Sequence, residues 1–107
     1  MKKSKFIYRI VHLYSLLSKI TVEHNPSKER LKELGISKWP IWTKEVSEFP
    51  WNYDEKETCY FLEGDVIIRP DNASQVQIGK GDLVVFPEGI SCTWKILKNV
   101  KKHYKFG

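Results

Sequence analysis

Two glycine-closed blocks of alternating side chains constrain the fold of this chain more than any other feature. The first runs from Trp51 to Gly64 and the second from Gly81 to Thr93. Because successive side chains of a strand point to opposite faces, Glu57, Cys59 and Phe61 share one face. The pattern predicts a strand in each block, with polar or sulfur side chains among bulky apolar ones.

From Trp39 onwards, short runs of this two-residue period recur with turn residues between them and no helical insertion. A chain of 107 residues has room for one modest core. Many short strands with regular turn signals predict an all-β sandwich or barrel in a single domain. The predicted strands are Ile41–Val46, Phe49–Tyr53, Glu57–Leu62, Val66–Arg69, Gln75–Ile78, Leu83–Phe86, Cys92–Ile96 and Lys101–Phe106.

One short helix is predicted ahead of the strands, over residues 25–35. Asn25 is the expected N-cap, with Pro26 at the first helical position, where its missing N–H costs nothing. Gly35 is the expected C-terminal stop. We expect this helix to cover one end of the barrel.

Residues 1–22 differ from the remainder, which is the predicted domain of residues 23–107. They carry five basic residues, no acidic residue and an amphipathic helical pattern. Such a start is typical of a transit segment for a plastid or mitochondrion. The alternatives are an additional helix or strand, or a tail, in which case the protein is expected in the cytoplasm.

The charge distribution argues against nucleic-acid binding. The net charge is +5, but residues 23–107 hold 13 basic and 13 acidic residues. A neutral domain has no basic surface to attract phosphates. No apolar run is long enough to predict a membrane span. Cys59 and Cys92 lie inside apolar runs and are predicted to be buried free thiols.

Both faces of the central strands are largely apolar. Thr58, Tyr60 and Leu62 lie opposite the face that carries Glu57. Two apolar faces both need a cover, and a small chain has few elements to supply it. We therefore predict a homodimer packed sheet against sheet.

The two blocks resemble the paired motifs of the cupin family. The first motif has two histidines, a glutamate and a closing glycine, and the second has glycine, proline, glycine and a histidine. At the spacing of the two motifs, this chain has Trp51, Tyr53, Glu57 and Gly64, followed by Gly81, Pro87, Gly89 and Cys92. The resemblance implies a jelly-roll barrel, also called a double-stranded β-helix.

Longer stretches of residues 22–106 are similar to the small stand-alone cupins grouped with the ureidoglycine aminohydrolase cupin domain. They begin with Lys38-Trp39-Pro40-x-Trp42 and include Glu57-Thr58-Cys59-Tyr60-x-Leu62-Glu63-Gly64, Gly81-Asp82-Leu83-Val84-Val85-Phe86-Pro87, Cys92-Thr93-Trp94 and Lys102-His103-Tyr104. This resemblance implies a plant or bacterial type of single-domain cupin.

The chain departs from that family at the metal ligands. Cupins that bind Mn, Fe, Zn or Ni use three histidines and the glutamate, and here Glu57 alone is retained. An indole N–H only donates, so Trp51 cannot be a ligand. Tyr53 would have to ionise, while Cys92 is a competent ligand as a thiolate. We predict no metal cofactor; if a divalent metal such as Zn, Mn or Fe binds, its ligands are Glu57, Cys92 and Tyr53.

The remaining site candidates have a functional and a structural interpretation each. Glu57, Cys92 and His103 are candidate catalytic groups, as an acid or base, a nucleophile and its imidazole partner. Each could instead be a packed or hydrogen-bonded structural residue. The candidate ligand-binding residues are Trp51, Tyr53, Glu57, Phe86, Cys92 and Trp94, which could equally fill the barrel. Lysines are predicted to be solvated: Lys38, Lys80, Lys95, Lys98, Lys101, Lys102 and Lys105.

Three function hypotheses follow. The first is a metal-free cupin that binds a small molecule in its barrel. The second is a metal-assisted enzyme with a reduced ligand set. The third is a non-catalytic scaffold in which the barrel serves dimerisation.

Overall fold

The computed structural model describes residues 19–107. Residues 1–18, which hold most of the predicted basic extension, lie outside the described residues, so the transit-segment prediction stays open. The strands are β1 (Thr21–His24), β2 (Ile41–Lys44), β3 (Ser47–Asn52), β4 (Glu57–Pro70), β5 (Val76–Gly79), β6 (Asp82–Phe86) and β7 (Ser91–Phe106). The helix α1 spans Lys28–Leu34 and is followed by a 3₁₀ turn at Ile36–Lys38. The prediction of an all-β domain with one short helix is confirmed.

The two long strands β4 and β7 pair with each other and organise the antiparallel sheet. Strand β6 pairs with the first half of β4 and with β1 on its other side, and β5 pairs with the second half of β4. Strand β2 pairs with the end of β7 and β3 with its beginning. The sheet therefore has two halves, each built from one half of β4 and one half of β7.

The two halves meet at irregular pairing around Gly64. The register of β4 against β7 shifts three times between Phe61 and Val66. Gly64 has φ 130°, and a Cβ there would lie 3.0 Å from a Val100 methyl group. Bulges bend a strand and increase its twist. The bend closes the sheet on itself, because Trp94 of one half contacts Phe61 of the other with ring centroids 6.3 Å apart.

This bend corrects two sequence predictions. The separate strands expected at 57–62 and 66–69 are one strand, β4, and those expected at 92–96 and 101–106 are one strand, β7. The turns predicted at 63–65 and 98–99 are positions inside these strands. Their glycine and polar residues serve a bulge, which bends a strand without ending its hydrogen bonding.

The helix begins two residues later than predicted. Its N-cap is Ser27, whose Oγ accepts a hydrogen bond from the Arg30 N–H at 3.1 Å, and not Asn25. Asn25 has φ 49°, and its N–H donates to the Gly81 carbonyl at 2.9 Å. That bond joins Asn25 to the turn before β6. Gly35 ends the helix with φ 72°, as predicted.

Strand β1 agrees with one of the alternatives left open for residues 1–22, an additional strand, but its bounds were not predicted. Thr21 and Val22 pair with Val85 and Val84 of β6. A side-chain contact also ties β1 to β6, since His24 Nδ1 lies 2.7 Å from Asp82 Oδ1. The last residues of the predicted extension therefore belong to the sheet.

The core confirms the predicted alternation of faces. Cys59 and Phe61 are fully buried and Glu57 is 3% exposed, whereas Thr58, Tyr60 and Leu62 are only partly buried. Both cysteines are buried free thiols, as predicted. The part of the chain from residue 19 to 107 contains no helix with the length and hydrophobicity to cross a bilayer.

Candidate functional site

An aromatic cavity of about 210 Å³ lies between the two halves of the sheet. Its walls come from β2, β3, the start of β4 and both halves of β7. Nine residues line it, and all except Glu57 and Lys102 are aromatic: Trp42, Phe49, Trp51, Tyr53, Glu57, Trp94, Lys102, Tyr104 and Phe106. Trp51 and Phe106 are 48% and 44% exposed, so they form its rim.

The charged groups of the cavity are a buried ion pair. Lys102 Nζ lies 2.7 Å from Glu57 Oε2, and the two side chains are 5% and 4% exposed. Glu57 begins β4, while Lys102 pairs with Phe61 four residues further along. The lysine side chain therefore runs along the inside of the sheet to reach the carboxylate. The prediction that Lys102 is solvated is wrong, because its position in β7 points inward.

Aromatic rings surround the ammonium group of Lys102. Its Nζ lies 4.7 Å from the ring centroid of Trp94 and 4.9 Å from that of Trp42. Phe61 and Phe86 are at 5.9 and 6.0 Å. Cations within about 6 Å of a ring face are attracted by its negative face. The rings and Glu57 together compensate for removing this charge from water.

Tyr53 is held rigidly at the cavity wall. Its ring stacks on Phe86 at 4.8 Å between centroids and 7° between planes. Its N–H donates to the Ile90 carbonyl, and its carbonyl accepts from the Gly89 N–H. Burial, and then the negative charge of Glu57, raise the pKa of the Tyr53 phenol far above its usual value. Tyr53 is therefore a neutral hydroxyl at physiological pH and is not available as a phenolate ligand.

The two thiols are neutral as well. Burial raises the pKa of Cys92 to about 11 and that of Cys59 to about 12. Cys92 pairs with Trp51 across the β3–β7 ladder, yet it does not line the cavity. A thiol is a weak nucleophile and ligand until it ionises, so this environment disfavours both roles for Cys92.

His103 lies away from Cys92 and from the cavity. Its neighbour Lys102 points inward, and the His103 Nδ1 lies 2.9 Å from the Trp39 carbonyl oxygen. Cys92 and His103 are at opposite ends of β7. The structure does not bring the two predicted catalytic partners together.

The indole of Trp94 carries an unusual polar atom. Its Nε1 is buried and makes no hydrogen bond within residues 19–107. Burial raises the pKa of the Tyr53 hydroxyl and of the Cys92 thiol, and the Trp94 indole lowers both by a smaller effect. Its geometry satisfies no hydrogen bond to either, so this buried donor is unpaired.

The candidate ligand-binding residues divide into two sets. Trp51, Tyr53, Glu57 and Trp94 line the cavity. Phe86 lies behind Tyr53 and under Lys102, and Cys92 is buried in the ladder outside the cavity. Sequence reasoning missed five lining residues: Trp42, Phe49, Lys102, Tyr104 and Phe106. One signal was available, because Val100, Lys102, Tyr104 and Phe106 alternate along β7 and so place a lysine on an apolar face.

The donors present do not fit a divalent metal ion. No group of three or more histidine, cysteine, aspartate or glutamate side chains from residue 19 onwards has the geometry of a metal site. Glu57 is already paired with Lys102, Tyr53 is a neutral phenol, and Cys92 is a neutral thiol outside the cavity. Zinc and similar ions require several ionised or imidazole ligands, and Glu57, which Lys102 already holds, is the one carboxylate of this set. The absence of a cofactor stays a prediction.

Comparison with known proteins identifies the family. The model of the EutQ-like cupin domain matches residues 31–104. The chain belongs to this cupin family. A DUF861-family protein of Thermotoga maritima is 52% identical in sequence to it, with a TM-score of 0.81 over 83% of this chain and all of that one. The predicted cupin jelly roll is thereby confirmed.

More distant structures share the fold. The EutQ protein of Clostridium difficile has a TM-score of 0.57 at 18% identity, over 81% of this cupin and 66% of its own chain. A DUF861-family protein of Pseudomonas syringae has a TM-score of 0.57 at 25% identity, over 63% of this chain and 29% of its own. None of the curated proteins matches this cupin.

Proposed function

We propose that the aromatic cavity binds a small flat molecule whose polar edge both donates and accepts hydrogen bonds. The observation that carries this proposal is the buried Glu57–Lys102 pair, which lies in the wall of a cavity otherwise lined by aromatic rings. An apolar pocket with a few convergent polar groups is the usual form of a small-molecule site. The proposal assigns binding and no reaction.

The polar groups favour an amide-like edge. Lys102 contacts Oε2 of Glu57, so Oε1 can accept a hydrogen bond from a ligand N–H. The ammonium of Lys102 has further N–H donors for a ligand carbonyl, and the Tyr53 hydroxyl is neutral. A net-neutral pair has no general attraction for anions. An amide or ureide, which presents N–H and C=O side by side, matches this arrangement better than a carboxylate.

The size and walls of the cavity limit the ligand. Its volume of about 210 Å³ lies below the roughly 300–1,000 Å³ of pockets for drug-sized ligands. Phe49 and Trp94 are parallel within 15°, and Trp42 meets Trp94 edge to face. Such walls favour a single flat ring that can stack on them.

Binding can be measured with named probes. Hydantoin and benzamide combine a flat ring with an amide edge, benzoate replaces that edge with an anion, and glucose is neither flat nor apolar. We expect hydantoin or benzamide to raise the unfolding temperature and to quench tryptophan fluorescence, with benzoate weaker and glucose without effect.

Matched variants localise the response. Trp51→Ala removes a rim residue that is 48% exposed, and Ile41→Ala removes an apolar residue of the same exposure that does not line the cavity. The first should weaken binding of the responding probe and the second should not. If no probe in the panel binds, or if both variants respond alike, the cavity proposal fails and the scaffold hypothesis gains.

The narrower relationship to the ureidoglycine aminohydrolase-like cupins is also part of our proposal. It is supported by the sequence blocks around Trp39, Glu57 and Gly81, and it is the reason that a ureide heads the probe panel. The metal-assisted alternative would require stoichiometric Zn, Mn or Fe in untagged protein, lost on Glu57→Gln. Elemental analysis of the purified protein distinguishes the metal-free binding proposal from the metal-assisted alternative.

We further propose that a second copy of this chain covers the outer face of the sheet. Tyr60, Leu62 and Val85 lie on that face and are only partly buried, and Leu97 is 39% exposed. Sedimentation velocity measures the oligomeric state directly. A dimer that Leu62→Asp converts to a monomer supports the proposal, and a monomeric wild-type protein contradicts it.

A further inference from the structure

We propose that Lys102 acts as an internal ligand of an ammonium-binding site, and that removing its side chain leaves a site specific for a primary alkylammonium ion. The inference concerns the pair itself and holds whether or not the cavity also takes an external molecule.

The first argument is electrostatic. Glu57 is 3% exposed, and an ionised carboxylate at such a depth needs a compensating charge. Within the described chain that charge comes from Lys102, whose Nζ is 2.7 Å from Oε2. The partner is contributed by a strand 45 residues away in sequence, so the pair forms only in the closed barrel.

The second argument is the shape of the surroundings. Trp42 and Trp94 place their ring centroids within 5 Å of Nζ, and Phe61 and Phe86 within about 6 Å. Several ring faces around one nitrogen make an aromatic cage, which is how proteins recognise ammonium groups of ligands. Ring faces offer no lone pairs, so the same cage suits an alkylammonium ion and not a divalent metal.

The third argument is that Lys102 is buried while other lysines of the same strand are exposed. Lys101 and Lys105, on the same strand, are exposed, while Lys102 is 4% exposed. Burying a lysine that has no compensating partner costs folding free energy, since its charge must be removed from water. Glu57 and the cage account for its burial, and together they form a site already filled by the protein's own side chain.

Chemical rescue tests whether the space left by the Lys102 side chain binds an ammonium ion. Lys102→Ala removes three carbons and the nitrogen beyond Cβ, which corresponds to n-propylammonium. Thermal unfolding of this variant is measured with n-propylammonium chloride, with sodium chloride at equal ionic strength, and with 1-propanol as the uncharged analogue. We expect propylammonium alone to raise the unfolding temperature, by roughly 5 °C or more at about tenfold excess over Kd.

Three controls define specificity. Wild type and Lys101→Ala should respond to propylammonium no more than to sodium chloride. The double variant Glu57→Gln/Lys102→Ala should lose the rescue, because the carboxylate is gone. If 1-propanol rescues Lys102→Ala as well as propylammonium does, the site is only an apolar hole and the inference is overturned.

A second measurement decides the matter if Lys102→Ala does not fold. Lys102→Met keeps an unbranched side chain, one atom shorter than lysine, and removes its charge. It is compared in the wild-type and Glu57→Gln backgrounds by urea denaturation. We expect Lys102→Met to be at least about tenfold more destabilising, as a ratio of unfolding constants, when Glu57 is present.

A Lys102→Met protein that fails to fold while Glu57→Gln/Lys102→Met folds also counts as strong coupling. Equal effects in the two backgrounds, or a double variant that does not fold, overturn the inference.

Discussion

The two halves of β4 contrast sharply, although they belong to one strand and both face the same interior. The first half buries Glu57, Cys59 and Phe61, and the second buries Val66 and Ile68. The second half has aliphatic side chains that pack without polar atoms. The first half contributes to a cavity and a charged pair. One strand therefore combines a dry packing region with a polar site, and the bend at Gly64 separates them.

The largest expected effect on stability comes from removing the charge of Glu57 in the first half. Glu57→Gln leaves the ammonium of Lys102 buried without its counter-ion, which is expected to reduce the free energy of unfolding by about 3–5 kcal/mol. Urea denaturation measures the loss. Glu63→Gln is the matched control, since Glu63 is exposed on the same strand, and it should change stability by less than about 0.5 kcal/mol. A Glu57→Gln protein as stable as wild type would remove the distinction between the halves.

The aliphatic half should respond to volume and not to charge. Ile68 is fully buried, and Ile68→Ala is expected to cost about 2–5 kcal/mol of unfolding free energy through lost burial and a cavity. Ile67→Ala, on the opposite face and only partly buried, should cost less. If Ile68→Ala instead abolishes probe binding in protein that remains folded, the second half is part of the site and the contrast fails.

A substitution at the bend between the halves should reduce the free energy of unfolding by an intermediate amount. Gly64→Ala places a Cβ 3.0 Å from a Val100 methyl group at φ 130°, and we expect a loss of roughly 1–3 kcal/mol in denaturant stability. Gly35→Ala is the control, because Gly35 also has positive φ, 72°, but a Cβ there meets no atom within 4 Å. An equal loss for the two variants would mean that the close approach of β4 and β7 does not matter.

The last expected effect is on the pH dependence of stability, where each half of the sheet contributes one thiol, Cys59 in β4 and Cys92 in β7. Burial raises the pKa of Cys59 from 9.0 to about 12 and that of Cys92 from 9.0 to about 11. Above pH 9 the unfolded state releases protons that the folded state keeps, so stability is intact below pH 9 and falls as pH rises towards 11–12. Each thiol contributes at most about 1.4 kcal/mol per pH unit.

Urea denaturation between pH 8 and about 10.5 checks this dependence. Cys59→Ala and Cys92→Ala should each flatten the decline, and to a similar extent, because a pH of about 10.5 lies below the raised pKa of both thiols. A wild-type stability that rises over this interval would contradict the assignment of both thiols as neutral.

Much of the fold could be predicted from local patterns. The period of two, the glycines and prolines, and the motif spacing correctly indicated a β-barrel of the cupin family, and the alternation put Glu57 and Cys59 on one face. The breaks in β4 and β7 were misread, because a bulge uses the same glycine and polar residues as a turn. Strand β1 was left as one of several alternatives, because the pairing with β6 that forms it is not visible locally.

What the sequence by itself determined is the class of the fold, the face that Glu57 shares with Cys59 and Phe61, and the loss of the metal-binding histidines. Only the tertiary structure decided what compensates Glu57. Lys102 lies 45 residues away in sequence, and although the alternation along β7 puts it on an apolar face, no local pattern shows that it meets Glu57. Closing the sheet brings the two strands together and turns Lys102 inward, because the energy of an ion pair depends on distance in space and on exclusion of water, not on separation along the chain.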